Sequence, residues 1–207
     1  MKNLLILIIC LNIHLEGFSQ IIKDIDEVSP FHGDLAAIRK GNQWAFINKE
    51  GVKVIDFRDD LVLSNKENAV SQIKVSSYPI FKNGRCLIKK LIDGKYYYGF
   101  IDEKGKEIIP PQYLNASNFS NGFAIIVMFL KDTIGFNQIF KKHVVSHKLE
   151  EYVIDTSGDL VKYLYNARTY FVSKFKNRNL LEIQSKFVAP HLIAVKNKNN
   201  KWNIYNF

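Results

Sequence analysis

A chain of 207 residues and 24.0 kDa is long enough to bury one sizeable core, or to share a continuous one among several small repeats. Its 29 basic and 20 acidic residues leave a formal charge of +9, which favours polyanionic partners. The excess is spread over many loops, which argues against the concentrated basic stripe of a nucleic-acid binder, and two cysteines are too few for a disulfide scaffold.

In chain order, the first element is a leader. Lys2 supplies a positive start, Leu4 to Leu11 an apolar stretch, and Gly17-Phe18-Ser19 small residues before a cut ahead of Gln20. Residues 1–19 are therefore expected to be a signal peptide. The apolar run is far shorter than the ~20 residues that span a bilayer. Ile9, not a small residue, precedes Cys10, which argues against lipid attachment. The mature chain, 20–207, is expected to be one domain in the periplasm, at the cell surface or outside the cell. It keeps the +9 charge, because Lys2 and Glu16 leave together, and Cys86 as its only cysteine.

Four segments then share one plan. The first runs FHGDLAAIRK, GNQ, WAFIN, KEGVK, VIDF. In the second, NGRCLIKK is a strand, LIDGK a turn, YYYGFID a strand, EKGK a turn closed by Gly105, and EIIP a third strand stopped by Pro110 and Pro111. The third opens FSNGFAIIVM, carries an insertion near 129–150 and resumes at YVIDTSGDLV; the fourth is FVAPHLIAVK, NKNN, KWNIYNF, ending after its second strand. From Gly51 to Gly105 is 54 residues and from Gly105 to Gly158 is 53, a period that marks a repeat architecture.

The residue types fit hairpins. Gly51, Gly105 and Gly158 follow two polar residues after a strand, where a short loop needs the left-handed backbone that glycine adopts cheaply. Trp44, Tyr98 and Trp202 stand at one equivalent position, two before Phe46, Phe100 and Ile204, so each pair shares a strand face, expected to be the core. Phe31, Phe81, Phe119 and Phe187 form a second equivalent set, expected to plug the gaps between repeats. A three-stranded meander of about thirty residues cannot fold alone, so the repeats must stack. The expected fold is all-β: tandem three-stranded meanders stacked into an elongated sheet or solenoid, with a β-propeller-like closure as the alternative.

YGFIDEKGKEIIPPQY (98–113), followed by FSNGFA, resembles the WG-repeat family of bacterial proteins, whose units look like KWGYIDKTGKEVIPPKY followed by FSEGLA. Tyr98-Gly99 stands for the family's Trp-Gly, and Pro110-Pro111 with Tyr113 keep its exit. The first repeat departs at Ala45 and lacks paired prolines; the third has Glu151-Tyr152 and the fourth Trp202-Asn203 where Trp-Gly belongs. The resemblance implies β-rich tandem repeats in often exported proteins, with no catalytic residues to carry over.

Several side-chain groups invite a chemical reading, and each has a plainer one. His143 and His147, with Glu150 and Glu151 beyond, have a zinc spacing on a helix, but the segment alternates like a solvated hairpin. Asp56, Asp59 and Asp60, or Asp102 with Glu103, suggest paired carboxylates; at strand exits and turns such residues ordinarily bond nearby amides. Phe171 and Phe175 interleave with Lys174, Lys176 and Arg178, which suits an anionic polymer, or equally a strand edge guarded by charge. Of Tyr96, Tyr97 and Tyr98, alternation makes Tyr97 the exposed ring. Cys86, in an apolar strand, is expected to be a small buried hydrophobe.

The insertion near 129–150 is the main departure from the repeat plan, so partner contacts are expected there, at Phe136, Phe140, Lys141 and Lys142, with Lys174, Lys176 and Arg178 as a second basic surface. The expected function is a non-catalytic, exported binding module for a protein or anionic polymer, with no cofactor, metal or catalytic residue. An envelope hydrolase using carboxylates from different repeats, or a structural spacer, is the alternative.

Overall fold

A computed structural model describes residues 22–64, 77–169 and 181–207. The expected signal peptide, and the basic run holding Lys174, Lys176 and Arg178, lie outside the described residues.

The local unit is a hairpin closed by a repeated turn. In the first three repeats an Asn or Asp ends the second strand, and its backbone N–H donates to a carbonyl four residues on: Asn48 to Val52 (2.9 Å), Asp102 to Lys106 (2.9 Å) and Asp155 to Asp159 (3.1 Å); in the fourth the same kind of turn, Asn197 to Lys201 (2.8 Å), joins the first strand to the second. Its side-chain oxygen accepts from turn amides, as Asp102 Oδ1 does from Lys104 and Lys106. The residue that turns left-handed is Gly51, Gly105 or Gly158 in the first three repeats and Asn200, at φ 60°, in the fourth. Sequence spacing misses Asn200 because asparagine also tolerates that conformation.

These turns join four antiparallel sheets, and the described residues contain no helix. The first sheet is β1 (Glu27–Val28), β2 (Ala36–Lys40), β3 (Gln43–Ile47) and β4 (Lys53–Arg58), in that order. The second is β5 (Cys86–Ile92), β6 (Lys95–Ile101) and β7 (Glu107–Tyr113). The third orders β8 (Asn115–Ala116), β9 (Phe123–Asn137), β10 (Lys142–Asp155) and β11 (Leu160–Tyr163), with β12 (Arg168–Thr169) further along β10. The fourth is β13 (Ser185–Ala189), β14 (Leu192–Lys196) and β15 (Trp202–Asn206).

Each meander is thus led by a strand taken from the connecting chain. β1, β8 and β13 play this part, and in the second repeat Lys89 N donates to Asp60 O (2.8 Å) and Val62 N to Leu87 O (3.0 Å). Such two-residue pairings carry no alternation for sequence reading to find.

The core lies between successive sheets. Phe46 of the first repeat meets Phe81 of the second edge to face at 4.7 Å, and Phe100 meets Phe119 of the third at 4.8 Å. The second and third repeats also lay their turn glycines on the third strand before them: a Cβ on Gly105 would lie 3.3 Å from Ile55, and one on Gly158 3.1 Å from Ile109, the equivalent isoleucine. Arg58, bonded to Asp60, reaches Gly105 O at 3.3 Å, and Arg85 Nε donates to Thr156 O at 2.9 Å, so polar ties cross the same seams. The third seam packs Ile125 and Val153 on Ile193 and Val195. The stack curves, since a single cavity of about 600 Å³ is lined from all four repeats, including His32, Tyr78, Phe119 and Phe187. Among the described residues no strand pairing joins the first sheet to the fourth.

Four expectations need correcting. Pro110 and Pro111 do not stop the third strand; β7 runs through them to Tyr113. Tyr98 pairs with Tyr113 and Phe100 with Ile109, so four steps on β7 face two on β6, and the prolines sit in this bulge, where no ladder amide is required of them. Tyr96, not Tyr97, is the exposed ring: Tyr97 packs on Leu114, Val127 and Leu149, while Tyr96 lies near the solvated hairpin end under the Lys89 ammonium. Trp202 and Ile204 are exposed although Trp44, Phe46, Tyr98 and Phe100 are buried, because no described repeat covers them. Phe31 is likewise exposed and Phe187 only half-buried.

Candidate interaction site

The segment 129–150 is not a separate insertion but an extension of the third repeat's own hairpin. β9 and β10 stay paired from Phe123–Asp155 at the base to Asn137–Lys142 at the tip. β-Branched and aromatic residues in both arms favour the strands, and a turn capped by Asn137, whose Oδ1 accepts from the Ile139 and Phe140 amides (both 3.0 Å), reverses the chain. Lys141 completes the turn at φ 49°. The base is buried at Val127 and Leu149. Beyond Leu130, no side chain of the two arms or the tip is fully buried.

The tip holds Phe136, Phe140, Lys141 and Lys142, the residues at which partner contacts are expected. Phe136 and Phe140 are exposed, as are Ile134 and Ile139, with Ile139 at 86% and Phe140 at 71%. Lys141 and Lys142 lie directly beside them. The register slips between Val144 and Val145, which leaves Ile134 without a cross-strand partner. Phe136 makes an edge contact to His143 at 5.2 Å, and Phe129 stacks on His147 at 5.1 Å. The two histidines are therefore held by aromatic rings on one arm. Lower on the hairpin Lys148 donates to Asp132 (3.0 Å), which raises the lysine pKa.

Trp44 and Tyr98 are buried in adjacent seams, and Gly99 faces the β7 bulge so closely that a Cβ would lie 2.6 Å from Pro111 N and 2.7 Å from Pro110 C, and against Ile109 O. In the first repeat Ala45 faces a smaller bulge, three steps from Ile55 to Arg58, and its methyl is tolerated.

The carboxylates do not converge. Asp56 pairs with Lys53 (2.6 Å), Asp60 is gripped by Arg58, and Asp102 serves its turn. Among the described residues no three His, Cys, Asp or Glu side chains cluster as metal ligands. Burial pushes the Cys86 thiol up from 9.0 to about 12.

One polar group escaped sequence reading. Glu151, fully buried, stands where the other repeats place Trp44, Tyr98 and Trp202. It reaches across the third seam: Oε1 accepts from Arg168 Nη2 and Gln184 N (both 2.8 Å), and Oε2 from Ser185 Oγ (2.6 Å). A carboxylate with this many donors ties the third repeat to the fourth where an indole would otherwise pack. The missing Trp-Gly was the available signal. Next to it, burial first and a hydrogen bond to Glu150 second push the Tyr152 hydroxyl up to about 12.

Comparison with known families gives a match to the WG containing repeat over residues 20–44 and 98–128. The second stretch runs from the second strand of one repeat into the first strand of the next, so it spans the Phe100–Phe119 seam. No curated protein and no solved structure matches the chain.

Proposed function

We propose that this chain, which belongs to the WG-containing repeat family, is an exported, non-catalytic interaction module that engages a protein or an anionic polymer with the tip of β9–β10. The observation that carries this reading is the exposure of Ile134, Phe136, Ile139 and Phe140 beside Lys141 and Lys142, on strands extended well past the core. Apolar side chains grouped at a protruding end gain by leaving water, and the neighbouring ammoniums favour an acidic surface.

The test joins Phe129 to Leu149, which already pair, through an Asn-Gly turn in place of residues 130–148. The shortened chain is expected to melt as the parent does and to lose the envelope component that the parent captures in a pull-down. Phe140→Ser and Lys141→Glu with Lys142→Glu separate the apolar from the charged contribution. Capture unchanged by deletion of the tip would refute the assignment.

A further inference from the structure

We propose that the chain associates head to tail with further copies of itself, the first repeat of one copy covering the exposed face of β15 on the next. The internal seams supply the reasoning. At the first two, the second strand of one repeat offers a buried aromatic pair, Trp44 with Phe46 or Tyr98 with Phe100, and the next repeat inserts its plug, Phe81 or Phe119, onto the second member of that pair. Phe119 is 1% exposed in that position.

At the two ends of the described stack the plug and the receiving pair of such a seam are exposed, while Ala36 and Ile38, the first repeat's equivalents of Cys86 and Ile88, are already buried. At one end Phe31, equivalent to Phe81 and Phe119, is 44% exposed, with Val28 bare beside it. At the other end Trp202 and Ile204, equivalent to Trp44 and Phe46, face solvent, Ile204 at 65%. All five residues of β15 are exposed, and among the described residues β14 is its only strand partner. The Lys186 and Lys196 ammoniums lie over the Trp202 ring at 4.8 and 5.2 Å.

Charge selects the occupant. Residues 22–64 contain eight acidic and six basic side chains, whereas residues 181–207 contain four basic and one acidic. The two ends are thus of opposite net sign, which favours contact between unlike ends. A like-with-like contact would set lysines against lysines. A head-to-tail contact places Phe31 on Ile204 as Phe119 sits on Phe100, and it is heterologous, so it continues into longer assemblies or closes a ring.

Sedimentation velocity of the purified chain, full length and from Gln20 in parallel, tests this from micromolar to hundreds of micromolar concentration. The expected result is a weight-average mass that rises at least about twofold over the monomer, as an open heterologous contact requires. Phe31→Ser spoils only the head and Ile204→Lys only the tail, with Trp202→Lys as a second tail variant; all three sites are exposed, and circular dichroism checks the fold. Each variant alone is expected to stay monomeric. Mixing a head variant with a tail variant is expected to give one-to-one dimers and nothing larger, because one intact head and one intact tail remain. A parent that stays monomeric throughout, variants that associate like the parent, or a mixture that stays monomeric would each overturn the proposal.

Discussion

Gly99 is needed for space, whereas Gly105 is needed for both conformation and space. Backbone atoms of Ile109, Pro110 and Pro111 occupy the volume that any Cβ at 99 would enter, and backbone cannot swing aside as a side-chain end can. Gly99→Ala should therefore destabilise by about 3 kcal/mol, the upper end for overpacking. The reverse change in the first repeat, Ala45→Gly, should cost only about 0.5–1 kcal/mol through added chain freedom. Urea denaturation of both variants measures the contrast. Cys86 offers a pH test: its thiol is held above 9.0 in the folded chain, so the unfolded chain loses that proton first. Its contribution to stability is complete below pH 9.0 and is lost as pH rises toward about 12. Tyr152, also raised to about 12, acts in the same direction from pH 10.0 upward. Cys86→Ala should flatten the decline in stability between pH 8 and pH 10.5 by about 1 kcal/mol or more, as linkage requires.

Among elements, the turn glycines were legible because one backbone conformation selects one residue type, and the plugs Phe81 and Phe119 because their spacing from the strands repeats. The leading strands were not, since β1 and β8 are two residues long and draw their pairing from the neighbouring strand instead of from their own pattern. Nor was the course of β7, because paired prolines ordinarily end a strand and only the bulge lets this one continue. At the candidate site, Phe136, Phe140, Lys141 and Lys142 were legible as polar and apolar residues added to a repeat; what was hidden is that the repeat's own strands lengthen to carry them. Glu151 was hidden because a carboxylate where an aromatic belongs looks like decay until its donors are in view. Glu151→Ala leaves the Ser185 hydroxyl, the Gln184 amide and Arg168 without their acceptor and should cost about 2–3 kcal/mol, a charge-assisted network broken on one side. Thermal melting of that variant, and of Ser185→Ala for comparison, measures it.

For the whole molecule, seams between neighbours mean that damage travels one repeat at a time. Removing residues 181–207 uncovers Ile125 and Val153 and strips Glu151 of two donors, while the cluster of Phe46, Phe81, Cys86 and Ile88 at the first seam keeps every member. Hydrogen exchange of that truncation should show protection lost in β9 and β10 and kept in β2, β3 and β5; uniform loss would mean that the stack unfolds as one unit. The charge difference between the ends belongs to this scale too, since the overall +9 conceals an acidic first repeat and a basic last one.

The close approach at Gly99 also bears on how repeats of this kind drift apart. The return strand spends four steps where its partner spends two in the second repeat, but three in the first. The absence of a side chain at one position and the surplus of backbone at the other are a single mechanical unit. A lineage that acquires Ala at position 99 must shorten the opposite strand at the same time or lose the hairpin, whereas one that shortens the strand first is free to acquire it. Ala45 and the missing prolines of the first repeat therefore count as one departure from the pattern, not two. Deleting Pro111 in a Gly99→Ala background should restore what the substitution alone removes.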